Sequence, residues 1–245
     1  MADKSSNFGY GNGIAKQILN IIFLVDDSGS MSGPNINAVN AAITELLQII
    51  PEIEKGTIDA EIRVAALSFS DKVHWIQKEP VSARHFKWED LFGDGSTNLT
   101  EAYRELGKQL IKKSHGGMMP DFGGVAPILL LMSDGMPTSL DWAIELGILY
   151  QKIWFSSALR YALAIGACSD EAMQVLLAFT GSADRIIKVF TAEALKNVIQ
   201  VIAVTASKVK SKSASISSVR QTNNEIAETE IKAEIEKIEG VESGW

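Results

Sequence analysis

Short, wholly apolar runs alternate with segments of helical periodicity from about residue 16 to residue 207, and few architectures tolerate that alternation. ILNIIFLV, Ile18 to Val25, is continuous and rich in β-branched residues, as expected of a strand buried on both faces. From Pro34 the apolar residues Ile36, Val39, Ile43, Leu46, Leu47 and Ile50 recur at helical spacing, and proline suits a first helical turn. Further strands are expected at Ile62 to Ser70, Pro127 to Ser133, Arg160 to Gly166 and Arg185 to Phe190. Helices are expected at Leu99 to Lys113, Leu140 to Phe155, Asp170 to Phe179 and Ala192 to Val209. VHWIQKE, Val73 to Glu79, follows its predecessor so closely that it must return antiparallel. The pattern predicts an α/β fold, a doubly wound and mostly parallel sheet with one antiparallel edge strand and helices on both faces.

The pattern stops at both ends. Residues 1–15 read as a polar, glycine-rich N-terminal extension without an apolar signal core, so a cytoplasmic protein is expected. No apolar stretch is long enough to span a bilayer, and no membrane association is expected. Residues 208–245 pass from a basic, serine-rich linker to a glutamate-rich tail. Ile226, Ile231, Ile235 and Ile238 are roughly helical in spacing there, and a solvated helix is the expectation because apolar residues are few. The formal net charge of -7 argues against a nucleic-acid partner, which calls for a basic face. The single cysteine, Cys168, excludes an internal disulfide and reads as a small buried hydrophobe.

Three loops concentrate oxygen-bearing side chains: Asp26-Asp27-Ser28-Gly29-Ser30 after the first strand, Gly93 to Thr100 before a helix, and Met132 to Thr138 after the PILLL strand. In an open α/β sheet, ligands bind beyond the carboxyl ends of the strands, where these loops belong. The first loop alone could hold a metal, cradle a phosphate, form a covalent intermediate or cap a helix. Alternation in extended chain aims Asp26, Ser28 and Ser30 one way and Asp27 the other. Thr97 adds a hydroxyl and Asp134 a second carboxylate. Two carboxylates and three hydroxyls form a hard-oxygen set that suits Mg²⁺, with Mn²⁺ also accommodated and zinc disfavoured. Ser28 and Ser30 as mere helix caps, and Asp134-Gly135 as a mere turn, are the competing structural readings.

With Asp26-x-Ser28-x-Ser30, Thr97 in GSTNL and Asp134 in SDG in place, the chain resembles the von Willebrand factor A domain over about residues 16 to 207. That family carries these five positions as its metal-ion-dependent adhesion site. A narrower likeness, carried by VDDSGSM, GPNINAVN, SDGMPTSLDW, YALAIG and FTAEALKNVIQVIAVTASKV, is to the intracellular bacterial TerY-like branch linked to tellurium resistance. The resemblance implies an adaptor in stress-response or phosphorylation signalling, accompanied by protein kinases and PP2C-type phosphatases. It also implies direct metal contacts from Ser28, Ser30 and Thr97, with Asp26 and Asp134 acting through water. A partner's aspartate or glutamate would complete the octahedron. Asp27 departs from the family pattern, which often has an uncharged residue there.

Other classes fit less well. A phosphoaspartyl hydrolase wants a second acid two residues after the nucleophile, and position 28 is serine. No P-loop lysine follows a glycine-rich turn, and no histidine has suitable context beside Ser28 or Ser30, so no catalytic residue is assigned. The remaining rival is a scaffold subunit of an AAA+ chaperone or chelatase machine that binds without its metal.

Overall fold

A computed structural model describes residues 17–56, 60–122, 124–139, 141–211 and 219–243. The N-terminal extension and most of the serine-rich linker therefore lie outside the described residues. The elements run β1 (Gln17–Asp26), α1 (Pro34–Gly56), β2 (Ala60–Phe69), β3 (Val73–Ser82), α2 (Leu99–Gln109), β4 (Ile128–Ser133), α3 (Trp142–Tyr150), α4 (Ile153–Ser156), β5 (Leu159–Ile165), α5 (Asp170–Thr180), β6 (Ile186–Val189), α6 (Ala192–Ser211), α7 (Val219–Ile235) and β7 (Val241–Ser243). Among the described residues the strands form one sheet in the order β3-β2-β1-β4-β5-β6-β7. β2, β1, β4, β5 and β6 run parallel, and β3 and β7 close the two edges antiparallel.

The central strands are buried on both faces, which is why they read as unbroken apolar runs. Alternate residues of β1 serve two cores. Leu19, Ile21, Phe23 and Val25 pack under α1, α6 and α7, whereas Ile22 and Leu24 pack under α2, α3 and α5. Trp75, Trp142 and Trp154 border the second core and Trp88 the first, in packing roles. β3 carries Pro80 at an edge, where a missing N–H costs no central ladder bond.

Three segments differ from the sequence reading. The helix expected from Leu140 to Phe155 breaks into α3 and α4, because Lys152 adopts extended backbone between them. α2 stops at Gln109, four residues before the expected end. The larger difference is the C-terminal segment. α7 packs against α6 and is no solvated helix: Ala227, Ile231 and Ile235 are all buried, while Ile226 stays 45% exposed. Ala227, Ile231 and Ile235 fall at i, i+4 and i+8, one stripe of a helix. Reading Ile226 into that stripe hid Ala227. Beyond α7, Ile238 and Val241 pack at the core's margin, and β7 adds a second antiparallel edge beside β6.

β1 and β4 are neighbours, yet β2 and β5 lead away from them in opposite directions. This reversal opens a crevice beyond the carboxyl ends of β1 and β4. Asp26 ends β1 and Ser133 ends β4, so the two most oxygen-rich turns open side by side there.

Candidate metal centre

Asp26 is fully buried. Its Oδ1 accepts from the Ser28 N–H at 2.9 Å, and its Oδ2 accepts from the Ser133 hydroxyl at 2.5 Å. After Ser28 the chain enters a 3₁₀ turn, Gly29–Met31. Ser30 thus reaches the crevice through that turn, where the sequence reading had relied on strand alternation. The Oγ atoms of Ser28 and Ser30 lie 3.2 Å apart, and the Ser30 hydroxyl donates to Asp134 Oδ1 at 2.8 Å. Asn35, in the first turn of α1, donates through Nδ2 to Asp134 Oδ2 at 3.1 Å. Asp27 takes no part in this network, as alternation had suggested. Burial raises its pKa, and the neighbouring Ser68 and Ser70 hydroxyls offset part of that rise.

Main-chain hydrogen bonds hold the three loops together. Gly29 N–H donates to Gly95 O at 3.0 Å, Asp94 N–H to Asp27 O at 2.9 Å, and Thr138 N–H to Thr97 O at 3.0 Å. Two glycines make the fit feasible. A Cβ on Gly93 would lie 2.4 Å from Ser32 N, inside van der Waals contact with main chain. Gly95 has φ +79°, a left-handed conformation that suits glycine, and Asp71 closes over it by accepting from the Ser96 N–H and hydroxyl. Thr97 is nearly buried in this assembly. Its hydroxyl makes no hydrogen bond among the described residues, so its oxygen lone pairs are uncommitted.

Of the five sequence-predicted residues, Asp26, Ser28, Ser30 and Asp134 share one local network, and Thr97 joins through its main chain. Ser133 and Asn35 were not foreseen. Ser133 is legible only once β1 and β4 are known to be neighbours, because its partner Asp26 lies 107 positions away. Asn35 reads as a helix-start residue, and only the crossing of α1 over the crevice brings it to Asp134. Cys168 sits half-buried beside the site, its thiol 3.8 Å from Ser133 O. Burial and the nearby Asp134 and Asp26 carboxylates push its pKa up to about 11, so it is a thiol at neutral pH.

The residues fit a hard divalent cation on their own chemistry. Burial pushes the Asp26 pKa above the usual carboxylate range, and repulsion from Asp134 adds to it. Neither carboxylate forms an ion pair with lysine, arginine or histidine among the described residues. A buried carboxylate beside a second carboxylate, with no cation and three hydroxyls at hand, lacks the charge that would neutralise it. The capping reading fails for Ser28, whose side chain makes no cap hydrogen bond to the turn that follows.

A doubly wound sheet with an oxygen-lined crevice at its switch point defines a class of open α/β domain with a binding site at the strand ends. The match to the von Willebrand factor type A domain model covers residues 20–201, and the chain belongs to that family. Solved structures agree on the fold. The mussel byssus proximal thread matrix protein 1, whose metal-ion-dependent adhesion motif is occupied by zinc, is similar at 15% identity and TM-score 0.57, covering 76% of this chain and 47% of its own. The ArnB paralog VWA2 of Sulfolobus acidocaldarius is similar at 14% identity and TM-score 0.51, covering 76% and 45%. The pilus adhesin SpaC of Lactobacillus rhamnosus GG is similar at 15% identity and TM-score 0.55, covering 89% and 32%. The chain thus spans less than half the length of these proteins. No curated protein sequence matches it. No helix among the described residues is long and apolar enough to cross a membrane.

Proposed function

We propose that the chain is a metal-dependent protein-interaction module. Asp26, Ser28, Ser30, Thr97 and Asp134 hold Mg²⁺, with Mn²⁺ an alternative, and an aspartate or glutamate of a partner protein binds to that ion. The observation that carries this reading is the hydroxyl–carboxylate network of Ser28, Ser30 and Asp134 beside the buried Asp26, which has no lysine, arginine or histidine partner among the described residues. The ion supplies positive charge and open coordination positions when bound. The chain's own residues orient it: Ser133 and the Ser28 amide fix Asp26, and Asn35 fixes Asp134. Neutral hydroxyl ligands leave the ion net attraction for a carboxylate. Divalent binding at such a motif has a precedent in the zinc-occupied mussel relative. No histidine is hydrogen-bonded to Ser28 or Ser30 among the described residues, which favours binding over acyl transfer.

The finer reading is a cytoplasmic adaptor in a bacterial stress-response system of the tellurium-resistance type, working with a protein kinase and a PP2C-type phosphatase. It rests on the TerY-like sequence segments. An affinity pull-down from native cell extract tests both levels, using wild type and Asp26→Ala, each with Mg²⁺ or EDTA. Proteins retained only by wild type with Mg²⁺ support a metal-bridged adaptor, and their identities test the kinase and phosphatase assignment. Partners indifferent to both changes refute the role given to the metal.

A further inference from the structure

A second polar site lies at the opposite end of the sheet. Arg160 is the second residue of β5, so it sits at the amino end of the parallel strands, on the order of 20 Å from the loops that follow their carboxyl ends. Every residue of β5 is buried, Arg160 included at 6% exposed. A charged side chain inside such a strand calls for a counter-ion, yet Arg160 forms no ion pair among the described residues.

What holds Arg160 is neutral. Nε donates to Phe179 O at 2.9 Å and Nη1 to Phe155 O at 2.6 Å. The rings of Tyr150 and Phe155 each lie 4.8 Å from the guanidinium carbon. The Tyr150 side chain is a further hydrogen-bond partner of the guanidinium, and no carboxylate pairs with it among the described residues. The guanidinium borders a cleft of about 740 Å³ between α4, the carboxyl end of α5 and α7.

Arg185 shares that cleft. Its Nη1 donates to Thr180 O at 3.1 Å, and its Nη2 pairs with Glu228 of α7 at 2.8 Å. Its Nε is buried and has no partner among the described residues. Two guanidinium groups are thus anchored on the carbonyls that end α5, with donors to spare and one carboxylate, Glu228, paired to Arg185. Glu225 lines the rim as well.

We propose that this cleft is an oxyanion site that takes a phosphate group, free or carried on a small organic molecule. Arg160 and Arg185 are donor-only groups, so the ligand must be acceptor-rich. Two guanidinium groups can engage separate oxygens of one phosphate, whose further acceptor oxygens and second charge favour it over a monoanionic carboxylate. Glu228 is the resident anion of this site: it occupies one side of Arg185 until phosphate displaces it. The cleft's volume leaves room for an organic body beside Tyr150 and Ile153.

Isothermal titration calorimetry on the full chain in EDTA, which keeps the metal centre out of the measurement, tests this. The probes are inorganic phosphate, glycerol 3-phosphate and acetate. Wild type is expected to bind phosphate at a single site and acetate at least tenfold more weakly. Tighter binding of glycerol 3-phosphate than of inorganic phosphate would identify an ester as the natural ligand. Glu228→Gln removes the resident anion and is expected to tighten phosphate binding several-fold. Arg185→Gln and Arg160→Lys are expected to weaken it at least tenfold, with circular dichroism confirming the fold. If Arg160→Lys does not fold, the opposite shifts in Glu228→Gln and Arg185→Gln still decide the matter. Silence in both wild type and Glu228→Gln, or equal affinity in all variants, overturns the proposal.

Discussion

Ile226 and Ile231 sit five residues apart on α7, and the structure assigns them opposite fates. Ile231 is 0% exposed within the core beneath α1 and α6, whereas Ile226 is 45% exposed. Truncating a buried isoleucine to alanine costs about 2–5 kcal/mol, the spread reflecting how far the cavity collapses. Ile231 faces inward from α7, which is tied down by Arg185–Glu228 and Lys232–Asp184; this limits collapse and favours the middle of that range. At about 2–4 °C per kcal/mol for a chain of this size, Ile231→Ala should lower the melting temperature by roughly 6–14 °C. Ile226→Ala removes surface already half in water and replaces isoleucine with a better helix former, so its shift should stay within about 2 °C. Both are read by thermal circular dichroism on the full chain at one pH, without added metal. Equal small shifts would mean that α7 is not seated as described, and the Ala227–Ile231–Ile235 stripe would have to be abandoned as a packing argument.

Further outcomes follow from the proposed metal centre. Asp26→Asn can keep both hydrogen bonds, since the Ser133 hydroxyl can accept from the new amide, and it removes a buried charge. It should match or exceed wild type in metal-free stability, yet lose the gain of about 2.7 kcal/mol that Mg²⁺ at a hundredfold its Kd gives wild type; a metal-dependent melting shift in the variant would refute the ligand assignment. The Asp26 pKa is raised above its ordinary 3.8. In the window between those two values the folded state holds more protons than the unfolded one, so metal-free wild type should lose stability as pH rises through it. Asp26→Asn should lack that component in paired urea titrations. Ser133→Ala takes away a positioning hydrogen bond and should weaken Mg²⁺ binding about 10–100-fold by calorimetry, with the fold intact. Gly93→Ala puts a methyl 2.4 Å from Ser32 N, so it should destabilise the folded chain and weaken Mg²⁺ binding together; wild-type behaviour would refute the described loop contact.

Much of this fold is written locally. β1, β4 and β5 are buried on both faces, so their apolar runs needed no context to be read as central strands. The meeting of Asp26, Ser28, Ser30 and Asp134 was legible because the loops that carry them follow strand ends in an open sheet. Ser133 and Asn35 were not, because each acts across about a hundred residues of sequence. α7 was misread for a related reason. Its stripe uses a small alanine and depends on α6 to supply the other half of the core, which no count of its own apolar residues reveals. Arg160 looked like an ordinary strand residue, because only the tertiary fold denies it a counter-ion.

The pairing of β7 with β6 bears on how the chain avoids its own copies. β6, Ile186–Val189, is an apolar strand whose outer hydrogen-bonding groups would be a template for foreign strands if uncovered. Three residues suffice to cover it, because Val241 to Ser243 match Val189 to Ile187 one for one. β7 in turn presents only a short edge carrying Glu242, and β3 presents Lys78, Glu79 and Pro80 on the other side. Both rims are thereby made unattractive for strand addition. A chain cut before residue 241 would keep its three oxygen-rich loops but expose β6, and self-association through that edge would follow.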